Sequence, residues 1–119
     1  MEYKFEKLEV WKLAMKFSHL SYKLADSLPE DEKYNLASQL KRASNSIALN
    51  IAEGSTGQTD TEQARFLSYA IRSHVETIAC VRLMEDRGYL TKQDKTKEQF
   101  EILGAELFNK LQAFKKAIK

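Results

Sequence analysis

The spacing of apolar side chains constrains this chain most: they recur at intervals of three and four through four successive segments. Val10, Leu13, Phe17, Leu20, Leu24 and Leu28 share one stripe, as the 3.6-residue turn of an α-helix requires, and Trp11 and Met15 widen it. The spacing predicts a first helix from about Leu8 to Leu28, broken at Pro29, with Glu30, Asp31 and Glu32 suiting the positive end of the next. A second helix is expected from about Glu32 to Glu53, with Leu36, Leu40, Ala43, Ile47 and Ile51 on one face. Gly54, free to turn left-handed, would stop it, and a loop through Gln58 follows. Thr59 and Glu62 have the spacing of a capping box opening a third helix, whose inward positions are Ala64, Leu67, Ile71, His74, Ile78 and Val81. Gly88 ends it. Thr91 and Asp94 repeat the capping pattern ahead of Phe100, Leu103, Leu107, Leu111, Phe114 and Ile118, and Lys115, Lys116 and Lys119 suit the negative end of that fourth helix. Four amphipathic helices with short connections predict an all-α, antiparallel up-down-up-down four-helix bundle, a single domain over residues 1–119.

Composition agrees. Four glycines and one proline in 119 residues leave few places to break a helix. A chain of this length buries roughly 65% of its unfolded surface, enough to fold without a disulfide or structural metal. The lone Cys80 excludes an internal disulfide and suits a reducing compartment. The charged start Met1-Glu2-Tyr3-Lys4-Phe5-Glu6 does not read as a signal peptide, and no run approaches the roughly 18 apolar residues of a membrane span, so the expected location is cytoplasmic.

No catalytic constellation can be assembled, and the chain reads as a non-enzyme without cofactor, metal or small-molecule substrate. His19 and His74 lie on different helices with no ligand-spaced cysteine or acid, and no Glu-x-x-His occurs. His74 falls on the apolar stripe, where it should hydrogen-bond inside the bundle. Cys80 lacks a Cys-x-x-Cys partner and reads as a small buried hydrophobe. Gly54-Ser55-Thr56-Gly57 lacks the Gly-Lys-Ser/Thr of a phosphate loop.

Two features point to partners. Between Leu36 and Ala52 the only charges are Lys41 and Arg42. Besides the apolar stripe, this helix carries an aligned polar row, Gln39, Arg42, Ser46, Asn50 and Glu53, and a row of small residues, Ala37, Ser44, Ala48 and Ala52. Surface helices of monomers normally show a charged face, so helix two is expected to be enclosed by its own bundle and a neighbouring subunit. The second feature is basic. Lys12, Lys16, His19 and Lys23 align on helix one, and Arg65, Tyr69 and Arg72 align on helix three, with Arg82 further along. Such stripes can contact phosphates and stack on unpaired bases. Glu9 and Asp26 bracket the first stripe, and Glu62 and Glu76 the second, as on ordinary solvated faces; the net charge is only +2.

Gln39-Leu40-Lys41-Arg42-Ala43, followed by Ser46-Ile47 and Asn50-Ile51-Ala52-Glu53-Gly54, resembles the signature of a bacterial four-helix-bundle family. That family is known from proteins encoded by intervening sequences of 23S (large-subunit) ribosomal RNA genes. Phe5 to Trp11, Arg65-Phe66-Leu67 and Gly88-Tyr89-Leu90 match in order over nearly the whole chain. The resemblance implies a homopentameric ring and kinship with accessory proteins of diversity-generating retroelements, which associate with a reverse transcriptase and nucleic acid; it does not imply a catalytic activity. Ala48, where relatives often have proline, and Arg72 and His74, in place of the usual glycine and leucine, depart from it. The expected function is that of an oligomeric accessory protein binding RNA or DNA through Lys12, Lys16, Lys23, Arg65, Arg72 and Arg82, with Gln39, Arg42, Ser46, Asn50 and Glu53 shaping the oligomer interface. The alternative is an adaptor scaffold whose partner is a protein.

Overall fold

A computed structural model describes residues 1–57, 59–91 and 93–118; Gln58 in the expected loop and Lys119 in the expected terminal charge lie outside them. Helix α1 (Glu9–Asp26) follows a short 3-10 turn at Lys4–Lys7, α2 (Leu36–Gly54) follows a second at Glu30–Glu32, and α3 (Asp60–Asp86) and α4 (Lys95–Ala117) come after. The chain is an all-α four-helix bundle. α1 packs on α2 and α4, and α3 on α2 and α4, so α1 and α3 stand at opposite corners. The stripe residues fill the centre: Phe17, Leu24, Leu40, Ile47, Ile51, Leu67, Val81, Phe100, Leu107 and Leu111 are buried almost completely.

The ends of the helices differ from expectation in instructive ways. α2 starts four residues late. Glu32 closes a 3-10 turn on Pro29, and its carboxylate accepts hydrogen bonds from the Tyr89 hydroxyl at 2.8 Å and the Asn35 amide at 2.9 Å. The Tyr89 bond first, then that of Asn35, holds the Glu32 carboxyl below its ordinary range. This acid therefore ties the α1–α2 connection to the α3–α4 connection instead of greeting a helix end. Gly54 does not turn left-handed; it closes α2, and a Cβ on it would stand 2.9 Å from Cβ of Phe66. Its missing side chain admits α3. The left-handed residues are Gly57 and Gly88, and Gly88 ends α3 in a paired motif, with Tyr89 N–H donating to Met84 O and Gly88 N–H to Glu85 O. Thr59 caps α3 by accepting from Glu62 N–H, while the Glu62 carboxylate turns to Arg65, so half of the expected box forms. Asp94 caps α4 itself, accepting from Lys97 N–H at 2.9 Å.

The small row of α2 is covered within the chain except at its end, where Ala52 is half-buried. Ala37, Ser44 and Ala48 are buried, as are Ala14, Ser21 and Ala25 of α1, which lets the two backbones approach without a neighbouring subunit. Ser21 and Thr77 are also buried, and each hydroxyl donates to the carbonyl four residues back at 2.8 Å, which satisfies it inside its own helix. Met15, expected on the stripe, is 48% exposed.

His74 stacks on Phe17 at 5.1 Å and tilts against Phe108 at 5.3 Å. Its Nε2–H donates to Gly104 O at 2.8 Å, whereas Nδ1 is buried without a partner among the described residues. Burial, opposed only in part by that carbonyl, pushes its pKa below the ordinary 6.5. The groups against the ring are phenylalanines and a backbone carbonyl, none able to compensate a charge. Unfolded chain binds the proton more readily, so the stabilisation is complete above pH 6.5 and drains away as pH falls toward the depressed folded value. The expected slope reaches about 1.4 kcal/mol per pH unit. Urea melts from about pH 7.5 down to about pH 5, across the ordinary imidazole value, check it. The slope should vanish in His74→Leu, and a wild-type midpoint constant over that window would contradict the buried neutral imidazole.

Candidate nucleic-acid interface

The inner arc of α1 is spent on the core, so its remaining residues define an outer face. Lys12, Lys16, His19 and Lys23 are all exposed there. The acids that bracket them in sequence turn away to other helices: Glu9 pairs with Lys110 of α4 at 3.3 Å, and Asp26 with Lys41 of α2 at 2.9 Å. Lys12, Lys16 and Lys23 form no ion pair among the described residues. The sequence alone suggested compensation by Glu9 and Asp26; the fold redirects both acids and leaves the lysine face positive.

The second stripe is different. Arg65 bonds to Glu62 at 2.8 Å and lies over the Phe66 ring, which meets Tyr69 edge-on at 5.6 Å. Arg72 is exposed and outside any such pair among the described residues. Arg82 is committed. Its guanidinium makes a two-pronged contact with Glu101 of α4, at 2.6 and 2.8 Å, and a third bond to Glu85, itself held by Lys97. Those bonds to Glu101 raise its already high pKa further. Arg82 thus clasps α3 to α4 and is not a loose cation. Because α1 and α3 are diagonal, the structure does not gather the six cations: Lys12, Lys16 and Lys23 face one way, and Arg65 and Arg72 the other.

The polar row of α2 divides as well. Ser46 accepts from Ser73 of α3 at 2.9 Å, and Asn50 donates to Ser46 O at 2.8 Å within its own helix; Gln39 reaches Asn35 at 3.3 Å. These three are half-buried, and only Arg42 and Glu53 of the row are exposed. Between those two on the same face stands Leu49, 60% exposed. Sequence reading missed Leu49, although it falls outside the apolar stripe, and that misplacement was the available signal. A surface groove of about 640 Å³ runs between α1 and α2, lined by Trp11, Met15, Ser18, His19, Tyr22, Asn45, Ala48 and Leu49.

Among the described residues no cluster of His, Cys, Asp or Glu could hold a metal, and no helix is long and apolar enough to cross a membrane. Cys80 is buried, and burial pushes its thiol pKa up, away from the thiolate. A model of the 23S rRNA-intervening sequence protein family matches residues 6–113. No curated protein matches the chain.

Proposed function

The chain belongs to the 23S rRNA-intervening sequence protein family, and from that premise we propose that it is a non-catalytic, oligomeric accessory protein that grips the phosphate backbone of RNA or DNA through the outer face of α1. The observation that carries this reading is the exposure of Lys12, Lys16 and Lys23 together with the diversion of Glu9 and Asp26 to Lys110 and Lys41. Each phosphate met by such a lysine releases condensed counterions, which drives binding regardless of base sequence. Arg72 and, after release from Glu62, Arg65 add a weaker contact on the far side. The polar row of α2, exposed at Arg42 and Glu53, is the surface offered for self-association. An oligomer repeats the lysine face and multiplies its avidity without new contacts.

An adaptor role toward a protein is the second reading, favoured by Val75 and Leu83, apolar yet 55% and 43% exposed on the outer side of α3. A salt series separates the two. Binding of the purified chain to structured RNA and to duplex DNA is measured from low to moderate salt, with solution mass followed in parallel. Three lysine contacts give a slope of log affinity on log salt of about −2.7 per protomer, steeper in an oligomer. An oligomer that ignores both nucleic acids at low salt would turn the assignment to a protein partner.

A further inference from the structure

We infer that the groove between α1 and α2 receives an unpaired base of single-stranded RNA, an inference that rests on the backbone-binding reading above. The groove runs beside the lysine face, because both belong to the exposed arc of α1. A strand whose phosphates follow Lys12, Lys16 and Lys23 therefore passes its bases along the groove mouth. The walls are apolar where a base needs them to be. Trp11 and Met15 rise from α1 and Leu49 from α2, and Met15 and Leu49 are 48% and 60% exposed. Flat aromatic and aliphatic surfaces hold a base by its faces whatever its identity.

The groove also carries a polar edge with capacity to spare. Asn45 accepts from the Ser18 hydroxyl at 3.2 Å and donates to the Tyr22 hydroxyl oxygen at 2.7 Å. These bonds fix the amide's orientation. They leave its second N–H, a lone pair on its oxygen and the Tyr22 O–H without partners among the described residues. Adjacent donors and acceptors are what the free edge of an unpaired base presents. A duplex hides its base faces in the stack and cannot use the groove, whereas RNA loops and bulges splay theirs outward.

Trp11 is the only tryptophan of the chain and lines this groove, so its emission reports on occupancy. The full chain is titrated with single-stranded oligouridylate and, separately, with the duplex that strand forms with oligoadenylate. The single strand should quench Trp11 and bind about tenfold tighter than the duplex, the range of one base–aromatic stack. Leu49→Ala, at an exposed position the fold does not need, should remove most of that preference and leave duplex affinity unchanged; Asn45→Ala should do the same. Equal affinity for both forms with unaltered Trp11 emission would overturn base insertion and keep the backbone reading. Binding of neither form would remove both. Trp11 emission that shifts to the blue with protein concentration alone, in step with a rising solution mass, would assign the groove to a second copy and overturn the inference.

Discussion

Replacing Phe17 by alanine is expected to lower stability by about 3–5 kcal/mol, the range for deleting a large aromatic from a packed core. Phe17 is the ring on which three helices close. It leaves α1 fully buried, stacks on Phe100 of α4 at 4.6 Å and on His74 of α3 at 5.1 Å. It also occupies space that α4 keeps open for it, since a Cβ on Gly104 would lie 2.9 Å from its Cε1. Alanine removes these contacts and leaves a cavity walled by rigid rings, which collapse poorly. Against a typical total of about 5–15 kcal/mol, the variant should be marginal at 37 °C (body temperature, an approximate working point). A urea midpoint at constant slope measures the change. A loss below about 1 kcal/mol would mean that the core does not close on this ring.

The Lys12→Glu/Lys16→Glu double variant is expected to weaken nucleic-acid binding by at least about a hundredfold near 0.1 M salt. Each phosphate contact there contributes about tenfold, and the salt slope should flatten by roughly two units. Both positions are solvent-facing and form no ion pair among the described residues, so the melting curve and the solution mass should match those of the parent chain. That combination separates a binding surface from a structural one. Retained affinity with retained fold would strip α1 of the role proposed for it.

The bundle was legible because burial and helical period agree at almost every stripe position, from Phe17 and Leu24 to Leu107 and Leu111. The ends were less so. Gly54 and Pro29 look like a helix stop and a helix start, but what each does depends on a partner far along the chain: Phe66 for the glycine, and Tyr89, through Glu32, for the turn after the proline. His74 was readable as an inward polar group, though its acceptor, the carbonyl of Gly104, was not. The candidate surface shows the same division. Exposure of Lys12, Lys16 and Lys23 follows from helical period alone. Whether neighbouring acids cancel them depends on which helix stands alongside, and only the fold sends Glu9 to Lys110 and Asp26 to Lys41. Arg82 is the converse case, a cation that looked free on its own helix and is claimed by Glu101 of the next.

The cyclic order of the helices carries a kinetic consequence. α1 meets α2, α2 meets α3 and α3 meets α4, each across a short connection. The one extensive meeting of distant parts is that of α1 with α4, to which the Phe17–His74 stack and the Glu32–Tyr89 bond are added. Topologies dominated by such sequence-local contacts fold in microseconds to milliseconds, because little loop entropy is lost before contacts reward it. The α2–α3 hairpin, whose close approach Gly54 permits, is the natural seed, and closure of α1 onto α4 is the late step. Phe17 and Gly104 belong to that late step, so substitutions there should chiefly hasten unfolding and leave the folding rate nearly unchanged.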